Sequence, residues 1–384
     1  EQQDWTHWIT NMAQSMNYIH LTKIKLMRLT SCLIIIFLLF IRCETENKSN
    51  YVQPWEEYLS YEEAGFDANK LDKLTDFIKE KSNTTGLIAI YKGKKFFEYG
   101  DLEHISYIAS NRKSILAMLM GKYVENGTIN LTQTLEELEM DDIEGLMDIE
   151  KKATVNHLAT ARSGIFHNPS YGGDDRKNVL RRGSVEPGTY YLYNNWDFNA
   201  VGYVFEKLVG KTIYEELEEQ IAIPTGFENW DLSIQKKAGD AKKSKYLAYP
   251  INLSTKDMAK VGQLMLNKGE WNGNQLVSEN WLKKIVTIVT PKDTVSKRRG
   301  LSKFKSPDFG YSYMWWTFDE FNENKIYEGS YSAHGSGGQF ITVIPKLKLV
   351  IAHKTDFIKK TKGKKTPKHI YYQIVDQIVN SKID

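Results

Sequence analysis

Strand-like sequence stands near both ends of this chain, and a long helix-patterned stretch separates the two blocks. In the first block, Leu87-Ile88-Ala89-Ile90-Tyr91 and Lys95-Phe96-Phe97-Glu98-Tyr99 read as strands joined at Lys92-Gly93-Lys94, a hairpin. In the second, Tyr311–Thr317, Gln339–Ile344 and Leu347–His353 carry the β-branched and aromatic residues that favour strands. Helical patterns bracket both blocks. Asp67 caps a segment in which Leu71, Leu74, Phe77 and Ile78 share one face, and a last helix runs from about His369 to Val379. The pattern predicts an α/β (α+β) fold: a central antiparallel sheet flanked by N- and C-terminal helices and interrupted by an inserted all-helical domain. The expected boundaries are 66–105 with 246–384 for the sheet domain and 106–245 for the helical one. Within and after the insertion, helices are expected from Ser110 to Val124, Thr154 to Ala161, Asp197 to Leu208, Ile213 to Ile221 and Asp257 to Leu266.

The export signal lies ahead of this body. Leu33-Ile34-Ile35-Ile36-Phe37-Leu38-Leu39-Phe40-Ile41 is too short for a spanning helix, which needs about 20 residues. It has the length of a signal-peptide apolar region, with Lys23, Lys25 and Arg28 as the basic lead. The chain opens on Glu1 and not on Met, and residues 1–26 read as an extension upstream of a start at Met27. Cys43 follows the apolar run and precedes polar sequence, as at a bacterial lipoprotein cleavage site, although Arg42 replaces the usual small residue. The expectation is an exported, lipid-anchored, periplasmic or cell-surface protein; an uncleaved hydrophobic anchor is the alternative. Residues 43–65 form a polar and aromatic lead-in.

Charge and cysteine content exclude several classes. The chain holds 51 Lys and Arg against 48 Asp and Glu, and residues 1–42 contain four of the basic and two of the acidic ones. The rest is thus 47 against 46, too balanced for a nucleic-acid-binding surface. Both cysteines, Cys32 and Cys43, fall in the export region, so the body has neither a disulfide framework nor a Cys-based zinc site. No metal or cofactor motif is present; Val209-Gly210-Lys211-Thr212 lacks the upstream glycine of a phosphate loop.

Three short motifs carry candidate chemistry. Ser110-Asn111-Arg112-Lys113 opens an apolar helix. Residues three apart share a helix face, so Lys113 can reach towards Ser110. A serine needs such a base to act as nucleophile, and the helix N-terminus favours the negative charge of acyl transfer. Spacing alone is weak evidence, since Ser233-Ile234-Gln235-Lys236 and Ser302-Lys303-Phe304-Lys305 repeat it in polar contexts. Tyr193-Asn194-Asn195 sits in a turn ahead of a helix, where a phenol can relay protons and an amide can hold a lysine or a carbonyl. Gly335-Ser336-Gly337-Gly338-Gln339 leads into an apolar strand, and its glycines permit another backbone to approach. Taken singly, the first motif reads as a capped helix start with an exposed lysine and the second as a plain turn, while the third reads equally well as a tight turn or bulge.

In this order, the three motifs resemble the serine β-lactamase and penicillin-binding-protein superfamily on its class C side. The likeness is strongest to serine hydrolases related to 6-aminohexanoate-dimer hydrolase and to esterases of that fold. Further matching stretches are His157–Gly164, Tyr193–Asn199, Asn252–Asp257 and Gly310–Trp316, and the likeness runs from about Phe66 to the C-terminus. The resemblance implies an acyl-enzyme serine hydrolase acting on a small ester, amide or β-lactam-like substrate without cofactor or metal. Ser110 would be acylated, Lys113 would accept or share its proton, Tyr193 would act as base or acid, and Asn195 would orient substrate. Ser336, Gly337, Gly338 and Gln339 would line the substrate strand. The backbone N–H groups of Ser110 and Gln339 would form the oxyanion hole. The third motif of β-lactamases begins with Lys, and that of related esterases with His; Ser336 stands there instead. That departure favours neutral substrates over a penicillin-binding DD-carboxypeptidase or a weak β-lactamase, the alternative enzyme readings. A non-catalytic ligand-binding protein on the same fold is the alternative from another class. His157 and His167 are expected to be structural, His334 either to compensate in part for the missing cation or to be pointed elsewhere by strand alternation, and Trp315 with Trp316 to divide between core and pocket wall. Lys359, Lys360, Lys362, Lys364, Lys365 and Lys368 form a basic loop and Lys297-Arg298-Arg299 another; both read as solvated.

Overall fold

A computed structural model describes residues 54–172, 178–299, 309–318 and 325–383. Cys32, Cys43 and the rest of residues 1–53, where export and lipid attachment are expected, lie outside the described residues, as does Ser302–Lys305.

Sheet assembly begins with strands β1 (Gly86–Tyr91) and β2 (Lys94–Gly100). Tyr91 pairs with Lys94, and the two turn residues Lys92 and Gly93 both take positive φ, the geometry of a tight hairpin. Short strands β3 (Ser106–Tyr107) and β4 (Asn252–Leu253) pair with each other, as do β5 (Glu270–Trp271) and β6 (Asn274–Gln275). The C-terminal third supplies β7 (Gly310–Tyr311), β8 (Trp316–Thr317), β9 (Tyr331–Gly335), β10 (Gln339–Ile344) and β11 (Leu349–Lys354). The main sheet has the order β2-β1-β11-β10-β9-β8-β7, and every pair in it is antiparallel. The N-terminal hairpin thus docks on the last strand, closing one sheet around the insertion. Strands β1, β10 and β11 are buried at every residue, so they read as apolar runs and not as alternation.

Helices cover both faces. The long ones are α1 (Ala68–Lys81), α2 (Asn111–Glu125), α3 (Asn195–Val209), α4 (Thr255–Leu266), α5 (Glu279–Val286) and α6 (Lys368–Asn380). Asp67 caps α1 by accepting from Lys70 N, and Leu71, Leu74 and Ile78 form its buried stripe. On one face, Tyr371 of α6 stacks on Phe340 with ring centroids 4.0 Å apart. On the other, Gly262 of α4 lies so close to the strands that a Cβ there would stand 2.5 Å from Val350 and 2.9 Å from Ile341.

Three differences from the sequence pattern have physical causes. Tyr311–Thr317 is not one strand but a fold-back of β7 on β8, because Met314 takes φ 60° and its carbonyl is held by Ser114 Oγ of α2. Strand β9, rich in small polar residues, has no strand pattern of its own and owes its conformation to pairing between β8 and β10. From Gly127 to Asn194 the described chain is mostly irregular, with only the short helices Asp148–Lys151 and Val155–Ala159. Buried Asp142 holds that region together: it accepts from Trp196 Nε1 at 2.6 Å, Ser244 Oγ at 2.6 Å and Lys245 N at 2.7 Å.

Candidate active site

The turn before α2 sets up the site. Ile108 N donates to Ile251 O at 3.0 Å, continuing the β3–β4 ribbon. Ala109 then takes φ 52°, a left-handed conformation that costs a non-glycine residue about 1–2 kcal/mol. This kink delivers Ser110 to the N-cap of α2, where its side chain caps no backbone amide and stays half-buried. The ribbon is tied down from below: buried Lys354, at the end of β11, donates to the carbonyls of His104 (2.9 Å) and Leu253. Burial pulls the Lys354 ammonium down to about 7, against the raising influence of Asp356 and Asp257.

Lys113 lies one turn into α2 with 1 % exposure. Its Nζ donates to Tyr193 Oη at 2.8 Å and to Asn195 Oδ1 at 2.6 Å. It also stands over the rings of Phe198 (4.1 Å) and Tyr193 (4.2 Å), so aromatic faces replace part of its lost hydration. A buried ammonium without such partners would be strongly disfavoured. Capping places those partners. Asn194 Oδ1 accepts from Trp196 N at the start of α3 while its Nδ2 donates to Ile165 O, which fixes Tyr193 and Asn195 on either side. Asn195 Nδ2 donates to Gly172 O at 2.9 Å, turning Oδ1 to Lys113. The Tyr193 ring packs against Phe198, Tyr311 and Trp316.

The glycine run forms the β9–β10 turn. Gly335 pairs with Gln339, leaving Ser336, Gly337 and Gly338 as the loop. Gly337 and Gly338 take φ 90° and 108°, and a Cβ on them would lie 2.3 Å from the Phe357 ring and 2.7 Å from Thr355 Oγ1. Gly335 makes the contact with the serine turn: a Cβ there would meet the Ile108 carbonyl oxygen at 2.5 Å. Ser336 is exposed, whereas Gln339 is buried with Nε2 donating to Thr355 O at 2.6 Å.

The structure therefore brings Ser110, Lys113, Tyr193, Asn195 and the 335–339 turn to one end of the sheet. His334 is directed elsewhere: its Nε2 lies 2.6 Å from Tyr372 Oη of α6, and its ring stacks on Trp316. Trp316 is thereby sandwiched between His334 and Tyr193, while Trp315 is fully buried. His157 Nδ1 accepts from Thr154 N, and the two ring nitrogens of His167 meet the carbonyls of Ile143 and Asn168. Ser233 caps with Asp231 at an exposed turn. In the basic loop Lys360 pairs with Asp101, Lys365 stands over Phe357 and Lys368 over Phe309; Lys297-Arg298-Arg299 ends the helix Lys292–Arg299.

Sequence reasoning missed Arg112 and Tyr107. Arg112 donates to Asn199 Oδ1 at 2.9 Å and lies over the Tyr249 ring, locking α2 to α3 beside Lys113. Tyr107, whose phenol is pushed up by burial, stands near Arg112, Tyr171 and Tyr193. No periodic signal marks either residue. Among the described residues no cluster could hold a metal ion, and no helix is long and apolar enough to cross a membrane.

An antiparallel sheet between terminal helices, with a Ser-x-x-Lys helix and a Tyr-x-Asn turn converging on one end, is the β-lactamase/transpeptidase architecture. The Beta-lactamase family model matches residues 79–356, and the chain belongs to that family. Similar solved structures include a Bacillus anthracis protein assigned as a 6-aminohexanoate-dimer hydrolase. It has TM-score 0.62 and 19% identity, with 87% of this chain and 88% of that one covered. A Bacteroides dorei protein assigned as a beta-lactamase has TM-score 0.61 and 16% identity, covering 82% and 99%. A family VIII carboxylesterase has TM-score 0.56 and 14% identity, covering 83% and 99%. At these identities the likeness is one of fold. No curated protein sequence matches the chain.

Proposed function

We propose that the protein is a serine hydrolase that cleaves a small ester or amide through an acyl-enzyme on Ser110. The observation that carries this reading is the position of Lys113 Nζ, 2.8 Å from Tyr193 Oη and 2.6 Å from Asn195 Oδ1, one helical turn beyond Ser110. In the proposed reaction Ser110 Oγ attacks the carbonyl carbon and its proton passes to the Lys113–Tyr193 pair. The resulting oxyanion is held by the N–H groups of Ser110 and Gln339, where losing one donor typically costs about 2.7–4 kcal/mol. The pair then protonates the departing alkoxide or amine, and water releases the acid by the same steps in reverse order. Asn195 holds Lys113 in place and orients the substrate carbonyl.

Neutral substrates fit best. Ser336 supplies no charge, and the imidazole of His334 is engaged by Tyr372. Intact mass after treatment with a fluorophosphonate tests the nucleophile: one adduct is expected, lost in Ser110→Ala, and labelling that persists in that variant removes Ser110 from the role. Rates on p-nitrophenyl esters, a chromogenic cephalosporin and D-amino-acid amides then rank the substrate classes, and a preference for the cephalosporin would overturn the neutral-substrate reading. We further propose export and lipid attachment at Cys43. Cys43→Ser should abolish lipid labelling and free the protein from membranes; unchanged fractionation would refute it.

A further inference from the structure

Arg112 is buried beside Lys113 and carries a charge with no counter-ion among the described residues. It is 2 % exposed. Its Nη2 donates to the neutral carboxamide of Asn199 at 2.9 Å, its Nη1 has no hydrogen-bond partner, and the guanidinium lies 4.1 Å from the centre of the Tyr249 ring. The acids of α3 are engaged by other groups. Glu206 accepts from Lys237 Nζ at 2.7 Å and from Ile213 N at 3.0 Å, and Asp197 accepts from Ser163 Oγ at 2.7 Å. Lys237 shares the Tyr249 ring with Arg112, at 5.5 Å. Tyr107 of β3, Tyr249 ahead of β4 and Tyr214 of the short helix Ile213–Leu217 also face the guanidinium. Burial pushes all three phenols up, and in each case the Arg112 charge opposes it. Tyr193 in turn faces Tyr107, Tyr249 and Tyr311.

Such an arrangement costs stability. A carboxamide and a ring face restore only part of the hydration that a buried cation loses. Aspartate at position 199 would have the shape of asparagine and would supply the missing charge, yet the chain leaves Arg112 unneutralised. The position of the charge gives a reason. Arg112 and Lys113 are neighbours on α2 and reach the same face of α3: Lys113 donates to Asn195 and Arg112 to Asn199. Residues four apart on a helix stand about 5–6 Å from each other. A guanidinium does not release its proton. At that range its fixed charge disfavours a second positive charge on Lys113 and favours a negative one on Tyr193.

We propose that Arg112 holds the Lys113–Tyr193 pair one proton short, so that the pair can take the proton of Ser110. The inference rests on the serine-hydrolase function proposed for Ser110. In the step concerned, the O–H bond of Ser110 breaks as Oγ bonds to the carbonyl carbon. The proton goes to the pair, and the carbonyl π electrons go to the oxyanion. Arg112 touches neither the substrate nor the moving proton. It is a positioning residue that acts through its charge.

The pH dependence of fluorophosphonate labelling, read as intact mass, tests this role. Asn199→Asp gives Arg112 a counter-ion without a change of shape, and Arg112→Gln removes the charge but keeps a donor for Asn199. Each should move the acid limb of the labelling profile to higher pH by about one unit or more, the effect of a unit charge at this range in partly screened surroundings. Labelling should recover towards the wild-type rate above the shifted limb. Arg112→Lys keeps the charge and should leave the limb in place. A carbon-13 NMR titration of lysine-labelled protein reads the pair directly, with the Lys113 signal assigned by its loss in Lys113→Met. It should show the same upward move in Asn199→Asp. A lowered plateau with an unmoved limb in Asn199→Asp and Arg112→Gln would reduce Arg112 to packing and overturn the proposal. An unmoved Lys113 titration in Asn199→Asp, or a limb moved as far by Arg112→Lys as by Arg112→Gln, would overturn it too. Failure of the hydrolase function looks different: wild type would not label at all, while the Lys113 titration would still report the Arg112 charge.

Discussion

Replacing Gly335 by alanine tests whether the glycine turn holds the serine in place. Its φ lies outside the left-handed region, so alanine meets no backbone penalty and the effect is purely one of contact. The new Cβ would stand 2.5 Å from the Ile108 carbonyl oxygen and 2.7 Å from Gln339 Cβ. The Ile108-Ala109-Ser110 turn must then retreat by roughly 0.5–1 Å before ordinary contact is restored. A displacement of that size at a reacting group costs on the order of 10²-fold in rate. Gly262→Ala is the matched control, because it crowds Val350 at the same 2.5 Å but at the face of the sheet covered by α4. Its overpacking cost of about 1–3 kcal/mol is offset by about 1 kcal/mol of helix propensity. The assay is the rate of fluorophosphonate labelling, read as intact mass, alongside thermal unfolding of each variant. Gly335→Ala should label about 10²-fold more slowly while still folded; Gly262→Ala should label within about twofold of wild type and lose a few degrees of Tm at most. Wild-type labelling by folded Gly335→Ala would refute the positioning argument. Equal slowing in both variants would show a global effect instead.

Two further outcomes follow from the buried cations. Lys113→Ala and Tyr193→Phe should each lower ester turnover by roughly 10²-fold or more, and near-wild-type rates in both would rule out the proton relay. Lys354 makes stability depend on pH: its ammonium titrates near 7 when folded and near 10.4 when unfolded. Between those values the unfolded chain holds the extra proton, so stability should rise with pH by up to about 1.4 kcal/mol per unit and be flat below 7. Urea midpoints at pH 7 and pH 9.5 should differ more for wild type than for Lys354→Met; parallel profiles would refute the assignment.

Much of the fold was legible because its signals are local. Helix α1 follows from the Asp67 cap and an apolar stripe, the β1–β2 hairpin from two apolar runs around Lys92-Gly93, and α6 from its buried Tyr371–Ile378 stripe. Strand β9 was not legible, since Tyr331-Ser332-Ala333-His334-Gly335 acquires strand geometry only from its neighbours. At the site, the Ser110–Lys113 spacing is a property of one helix and could be read directly.

What tertiary structure alone decided is which distant groups meet. Lys113 and Tyr193 lie 80 positions apart in sequence, and Gly335 touches Ile108 although more than 200 residues separate them. Such contacts depend on where whole elements settle, which burial of the shared core determines and no short stretch of sequence encodes.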